Sequence, residues 1–268
     1  MGVAADEAEI DARLLAEHLL GWDAARFFAS ADAPPPEDFS GKYGALVDRR
    51  ARREPIAYIT GRQEFWGLTF DVKPAVLIPR PETELVVEIA LELYADPALP
   101  MPIADVCTGS GCIAVAIASE RPQARIIATD ISQPALQVAA KNAAKHGVDA
   151  RVRFVRTSLL DNIADRFRMI VANPPYVPNG DRPALPPEVR DHEPMLALLA
   201  GSDGLDVIRG LLAQAGDHLH SGGALVFEIG YGQSDAVSTL ISITPGLTMV
   251  DVRNDLQGIP RTVIVRRD

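Results

Sequence analysis

Positive charge is in short supply in this chain: 26 Lys and Arg stand against 36 Asp and Glu over 268 residues, a formal net charge of −10 at pH 7. Binding to a polyanion needs a basic face, so this balance excludes a simple polyanion-coating module and disfavours long-range steering toward nucleic acid. Cysteine is scarce too. Cys107 and Cys112 are the only two, and they lack the C-x-x-C spacing of zinc or thioredoxin-like sites, which leaves a reduced thiol pair of the cytoplasm. No apolar run approaches the ~20 residues of a membrane span. The N-terminus opens with acids (MGVAADEAEIDARLLAEHLLG) where a secretory signal carries basic residues. Asp6 occupies the place where a myristoylation signal has Ser or Thr. Internal repeats and low-complexity tails are absent as well. The expectation is a soluble cytoplasmic monomer without membrane attachment.

What is present is globular. Apolar residues make up 47% and charged residues 23%, near the average for folded domains and far from a disordered composition. The length favours two domains over one. Residues 6 to 62 carry helical patterns: Ile10, Leu14, Leu15, His18 and Leu19 recur at helical spacing, Gly21 can stop that helix, and a second, irregular pattern runs from Phe39 through Ile59. Ala33-Pro34-Pro35-Pro36 separates the two. Residues 63 to 80 change character, with two short strands predicted around Lys73-Pro74, one over Phe65 to Val72 and one over Val76 to Ile78.

From residue 81 onward helices and strands alternate. Glu82 to Tyr94 predicts an amphipathic helix. Strands are predicted at Ile103–Cys107, Ala124–Thr129, Val152–Val155, Met169–Ala172 and Ala224–Ile229, with helices at Ile113–Glu120, Pro134–His146 and Leu205–Leu219. The final strands Leu247–Arg253 and Thr262–Arg266 flank Asp255-Leu256-Gln257-Gly258 and suit an antiparallel edge. The pattern predicts an α/β fold, a Rossmann-like, mostly parallel sheet with helices on both faces. Three segments result: a helical domain over 1–62, a β-hairpin linker over 63–80, and a cofactor domain over 81–268.

Three motifs in that domain carry chemistry. Asp105-Val-Cys-Thr-Gly-Ser-Gly-Cys112 leaves a strand and opens a helix. Gly109 and Gly111 there are candidates for a ligand floor, since backbone without a side chain can approach a bound molecule closely. A tight strand-to-helix turn explains the same glycines. The dinucleotide pattern G-x-G-x-x-G has Ala114 at its third place, which keeps NAD open on this feature alone. Asp130, at the tip of the next strand, can accept both ribose hydroxyls of a nucleoside cofactor, although capping the following helix is an alternative that Ser132 serves better. The third motif is Asn173-Pro174-Pro175-Tyr176, directly after an apolar strand. Two prolines forbid helix and leave a rigid extended loop whose carbonyls act as acceptors. Asn173 Oδ1 and the Pro174 carbonyl can take the two hydrogens of a substrate NH2 group, and Tyr176 offers a flat face.

Asn-Pro-Pro-Tyr in this position resembles methyltransferases that use S-adenosylmethionine to alkylate planar nitrogens: adenine N6, guanine N2 or the glutamine side-chain amide. More narrowly, the chain resembles the release-factor glutamine methyltransferases of the PrmC or HemK type. The likeness runs through Glu54 to Gly61, Glu64-Phe-Trp-Gly67, Ile78-Pro-Arg-Pro-Glu-Thr-Glu84, Asn173 to Tyr176, Glu193-Pro194, Gly204-Leu-Asp206 and Glu228-Ile-Gly230. It implies N5-methylation of the glutamine in the Gly-Gly-Gln motif of peptide chain release factors, an event of translation termination. It also implies site roles. Cys107, Thr108, Gly109, Ser110 and Gly111 would form the loop around the methionine part of the cofactor, Asp130 would take the ribose, and Leu159 would lie near the adenine. Asn173 would touch cofactor and substrate, with Pro174, Pro175 and Tyr176 completing the glutamine pocket; Asn173, Pro174 and Tyr176 would be catalytic. Two positions depart from the family pattern. Cys107 replaces a Gly, which implies a backbone that does not need positive φ, and Ser158 replaces an Asp, which removes an acidic adenine contact.

Competing readings are a nucleic-acid N-methyltransferase with the same pocket, a cofactor-binding module without catalysis, and an NAD dehydrogenase. The net charge disfavours the first, the intact Asn-Pro-Pro-Tyr the second, and the lack of a paired His and acid the third. Arg49, Arg50, Arg52 and Arg53 form a basic cluster that reads as a solvated helix face or as a dock for an acidic partner. His218 and His220 suit a helix C-terminus better than a metal, and no metal site is expected. Trp66, Phe65 and Phe70 read as hairpin packing, and Glu228 as a strand-end residue behind the site.

Overall fold

A computed structural model describes residues 5–30 and 33–268; residues 1–4 and 31–32 of the expected helical domain lie outside the described residues. The chain divides into two compact units. The first takes the residues up to Arg62 together with Leu185–His192, and the second takes Gln63–Ala184 and Glu193–Asp268.

The first unit is helical, with α1 (Ala5–Leu20), α2 (Ala24–Ala29), α3 (Phe39–Ala51) and α4 (Ile56–Thr60). Leu15, Ala16, Ala57, Tyr58 and Ile59 form its buried apolar residues. The pattern expected over Phe39 to Ile59 is two helices, not one. Arg53 takes φ 66°, and Pro55 disfavours helical backbone at the residue before it, so the chain turns between them. The short helix Pro187–His192 was hidden inside the stretch assigned above to the cofactor domain. The Arg49–Arg53 cluster is neither a solvated face nor a free dock. Arg50 is buried and donates to Asp11 at 2.5 Å, Glu7 at 2.8 Å and Glu188 at 3.0 Å. Arg49 forks onto Glu54, and Arg53 pairs with Glu188. Acids of the same unit thus neutralise Arg49, Arg50 and Arg53.

The second unit opens with a hairpin, β1 (Arg62–Phe65) and β2 (Leu68–Asp71). Its turn residues Trp66 (φ 53°) and Gly67 (φ 68°) both lie in the left-handed region, as a two-residue turn matching strand twist requires. The strand expected over Val76–Ile78 does not form. Pro74 and Pro79 lack donors on either side, and the Ile78 N–H goes instead to Glu193 Oε2 at 3.1 Å.

After α5 (Glu84–Leu93), the chain alternates through β3 (Met101–Val106), α6 (Cys112–Glu120), β4 (Ala124–Asp130), α7 (Gln133–Lys145), β5 (Val152–Arg156), β6 (Phe167–Ala172), α8 (Asp206–His218), β7 (Leu219–Glu228), α9 (Ser234–Ser242), β8 (Leu247–Asn254) and β9 (Pro260–Arg267). Among the described residues these strands form one seven-stranded sheet in the order β5-β4-β3-β6-β7-β9-β8. The pairs from β5 to β7 are parallel, and β9 runs antiparallel to both neighbours. Central strands covered on both faces read as near-continuous apolar runs, and in β6 only Arg168 interrupts the run. In β6, Met169 and Val171 join the core under α5 and α6, while Ile170 and Ala172 join the core under α8 and α9. Met169, Ile170 and Val171, all buried, contribute roughly 1.5–3 kcal/mol each. β7 starts at Leu219, earlier than the expected Ala224, and its pairing with β6 slips between Phe167 and Met169. Successive crossovers leave β3 in opposite directions, so the β3–β6 seam is the switch point where open α/β sheets hold ligands.

Candidate active site

A cavity of about 520 Å³ lies over the carboxyl ends of β3, β4 and β6. On the β3 side the chain turns through Cys107 (φ 61°), Gly109 (φ 55°) and Gly111 (φ 81°). Positive φ at Cys107 corrects the expectation drawn from the missing Gly: the left-handed backbone is kept, and the Cβ is accommodated at a cost of roughly 1–2 kcal/mol. Thr108 anchors the turn through two of its own groups. Thr108 donates its N–H to the Thr129 carbonyl at 2.9 Å and its hydroxyl to Asp105 Oδ2 at 2.6 Å. Asp105 is fully buried, its Oδ1 has no partner, and burial pushes its carboxyl up to about 7. Gly111 faces away from the cavity. A Cβ there would stand 3.0 Å from Ala139 Cβ, so this glycine serves the packing of α6 on α7.

Asp130 ends β4 and faces the cavity. Its Oδ2 accepts the Gly109 N–H at 2.9 Å and its Oδ1 the Ser132 N–H at 2.8 Å. Ser132, not Asp130, caps α7. A carboxylate has about four lone-pair positions, so these backbone donors leave acceptor capacity for hydroxyls of a ligand. Burial raises the Asp130 pKa against the pull of those N–H groups. Beyond it, Leu159 (φ 49°), Ile131, Ala135 and Val207 make an apolar wall. Gln214 braces the Leu159 turn by accepting the Leu160 N–H at 2.9 Å and donating to Asp161 at 2.8 Å. A carboxylate with free lone pairs beside a flat apolar wall fits the ribose and base of a nucleoside cofactor.

Asn173 follows β6 directly and also lines the cavity. Its Nδ2 donates to Thr83 Oγ1 at 2.8 Å. Thr83 donates its hydroxyl to Glu228 Oε2 at 2.6 Å, and Tyr176 donates its own to Glu228 Oε1 at 2.9 Å. Glu228 is fully buried at the end of β7, and burial raises its pKa; burial and the Glu228 charge raise that of the Tyr176 phenol. Across the cavity, Glu193 is paired with Arg80 and holds the loop carrying Leu77 and Pro79 against the site.

Cys107, Thr108, Gly109, Ser110, Asp130, Leu159, Asn173 and Pro175 therefore line one cavity, as does Ser158. Gly111, Pro174 and Tyr176 are not among its lining residues: Pro174 is buried, and the Tyr176 hydroxyl is turned to Glu228. Thr83, Gln214 and the Glu193 clamp were missed. The Arg80 to Glu84 string and Glu193 had been noted only as shared segments, and nothing local to them discloses a partner. Burial holds the Cys112 thiol up at about 12 and raises that of Cys107 likewise, so neither serves as a thiolate nucleophile.

Comparison with known proteins gives two family matches: the PrmC N-terminal domain over residues 3–61 and the methyltransferase small domain over residues 90–184. The release factor glutamine methyltransferase of Bradyrhizobium diazoefficiens is 42% identical over 98% of this chain and 89% of its own length. That of Geobacter sulfurreducens is 43% identical over 98% and 92%. Among solved structures, a methyltransferase from Pyrococcus furiosus superposes with a TM-score of 0.56 at 18% identity, covering 82% of this chain and 98% of that one. It shares the Rossmann-like class I methyltransferase fold.

Proposed function

This chain belongs to the release factor glutamine methyltransferase family, and we propose that it methylates N5 of the glutamine side chain in the Gly-Gly-Gln motif of peptide chain release factors. S-adenosylmethionine supplies the methyl group on its sulfonium when bound. The observation that carries this reading is Asn173, anchored at the tip of β6 through its amide nitrogen and lining the same cavity as Asp130. Asp130 accepts the ribose hydroxyls, Leu159 and its apolar neighbours take the adenine, and the loop from Cys107 to Gly111 encloses the methionine part, Gly111 acting through helix packing. The Asp130 carboxylate, which lines the cavity, gives it a negative potential suited to a cationic cofactor.

The amide nitrogen of glutamine is a weak nucleophile because its lone pair is shared with the carbonyl; the amide rotation barrier of about 18–20 kcal/mol measures that sharing. Only part of it is lost when the nitrogen bends out of plane. Asn173 Oδ1 and the Pro174 carbonyl accept the two amide hydrogens, draw electron density onto the nitrogen and aim it at the methyl carbon. Orientation of this kind supplies up to about 7–11 kcal/mol in ideal cases. Transfer would form the new N–C bond as the cofactor's S–C bond broke, and the extra proton would leave to solvent from a nitrogen made acidic by alkylation. No base is needed beforehand. Pro175 keeps the loop rigid, and Tyr176 acts through Glu228. The helical first unit recognises the release factor.

Incubation with S-adenosylmethionine and either a release factor bearing Gly-Gly-Gln or a mixture of DNA and RNA tests the reading by mass spectrometry. Methyl on the glutamine is expected. A methylated base with unmodified glutamine overturns it.

A further inference from the structure

Glu228, 145 residues from Thr83 in sequence, touches neither cofactor loop nor cavity, yet it ends a chain of hydrogen bonds that reaches Asn173. The chain has a direction. Both oxygens of Glu228 are acceptors, one from Thr83 and one from Tyr176. Glu228 Oε2 therefore takes the single hydroxyl proton of Thr83, and Thr83 Oγ1 is left to meet Asn173 as an acceptor. Only the Nδ2 end of the Asn173 amide can satisfy it, as the 2.8 Å contact shows. The other end, Oδ1, is then the one turned away from Thr83. Tyr176 fills the second oxygen of Glu228, so that carboxylate has no need of the cavity.

We infer that Thr83 and Glu228 are positioning residues that fix which end of the Asn173 amide faces the substrate, and so set the preference for an amide NH2 over a carboxylate in the acceptor pocket. Asn173 is the group that touches substrate; Thr83 and Glu228 act through it. The inference rests on the proposed transfer to a glutamine amide. If Glu228 becomes Gln, its NH2 can donate to Thr83, the Thr83 proton is released toward Asn173, and the amide turns over. Asn173 then presents N–H groups to the acceptor. Those repel a substrate NH2 and attract a carboxylate.

The test is a selectivity, which a loss of fold does not move. A release-factor peptide with Gly-Gly-Gln and its counterpart with Gly-Gly-Glu are compared for binding to the cofactor-loaded full chain, alongside the methylation rate of the first. Wild type is expected to prefer the glutamine peptide. Glu228→Gln and Thr83→Val are expected to cut that preference at least tenfold and to lower kcat, with cofactor affinity within a few fold. Thr83→Ser, which keeps the hydroxyl, is expected to keep the preference. Equal weakening of both peptides, or an unchanged preference in Glu228→Gln, overturns the inference. Failure of the glutamine reading looks different: wild type then methylates no glutamine at all. In that case the same ratio, measured with adenine against hypoxanthine, still decides whether Thr83 and Glu228 set the amide.

Discussion

Gly109 donates its backbone N–H to Asp130 Oδ2 at 2.9 Å, so the loop after β3 and the tip of β4 are held as one piece. The carboxylate that would read a ribose also shapes the floor under the rest of the cofactor. Asp130→Ala is expected to weaken S-adenosylmethionine binding by about 3 kcal/mol or more, roughly a hundredfold, since two hydrogen bonds to a charged group are lost. Asp130→Asn should fall between. Titration calorimetry of the cofactor into each variant reads this directly, and wild-type affinity in Asp130→Ala would refute the role.

Asn173→Ala separates chemistry from binding. Deleting one preorganised polar group at a reacting centre costs roughly 10²–10³ in kcat, and a loss of that size is expected here with cofactor affinity little changed. Single-turnover methyl transfer alongside cofactor titration makes the comparison. Unchanged turnover would remove Asn173 from the mechanism.

Asp105 makes stability depend on pH in an unusual sense. Burial raises its pKa from 3.8 to about 7, so the folded chain retains a proton that the unfolded chain releases. Its contribution is complete below the unfolded pKa and disappears as pH rises through the folded one. Across roughly pH 4 to 7 stability therefore falls with rising pH, by at most about 1.4 kcal/mol per unit from this residue. Asp130 and Glu228 shift in the same direction, so the readout is the difference in slope between wild type and Asp105→Asn. Urea midpoints at several pH values supply it; parallel curves would contradict the assignment.

Arg50 is the cation on which the first unit closes. Replacing it by Met leaves the Asp11 carboxylate buried without its partner, which costs about 3–5 kcal/mol when one member of a buried pair is removed. Lys42→Ala, at an exposed pair with Asp38 on α3, should change stability by less than about 1 kcal/mol. Chemical denaturation followed by circular dichroism distinguishes the two. A tolerated Arg50→Met would mean that the acids around it find other partners.

The strand tips were legible because their signals are local. An apolar run followed within one or two residues by Gly-x-Gly, Asp130 or Asn173 says both where a strand ends and what stands there. The supporting residues were not, since each depends on a contact remote in sequence: 90 residues separate Asn173 from Thr83, and 138 separate Arg50 from Glu188. A run of arginines therefore read as a surface when its counter-charges were elsewhere in the chain. Cys107 misled for another reason. A residue type records a preference for φ, and a turn held by the Thr108 hydrogen bonds can impose the opposite.

The eight residues Leu185–His192 return to a unit whose other residues precede Gln63. The helical unit is thus inherited in two pieces. A cut after Arg62 would strand Glu188 on one fragment and Arg50 on the other. An exchange of N-terminal helices between relatives at a single join would set a foreign α3 opposite this chain's Glu188. Grafting this unit onto a relative, or swapping it for another, therefore requires three joins, one after Arg62 and one at each end of Leu185–His192, with Glu188 carried along with Arg50.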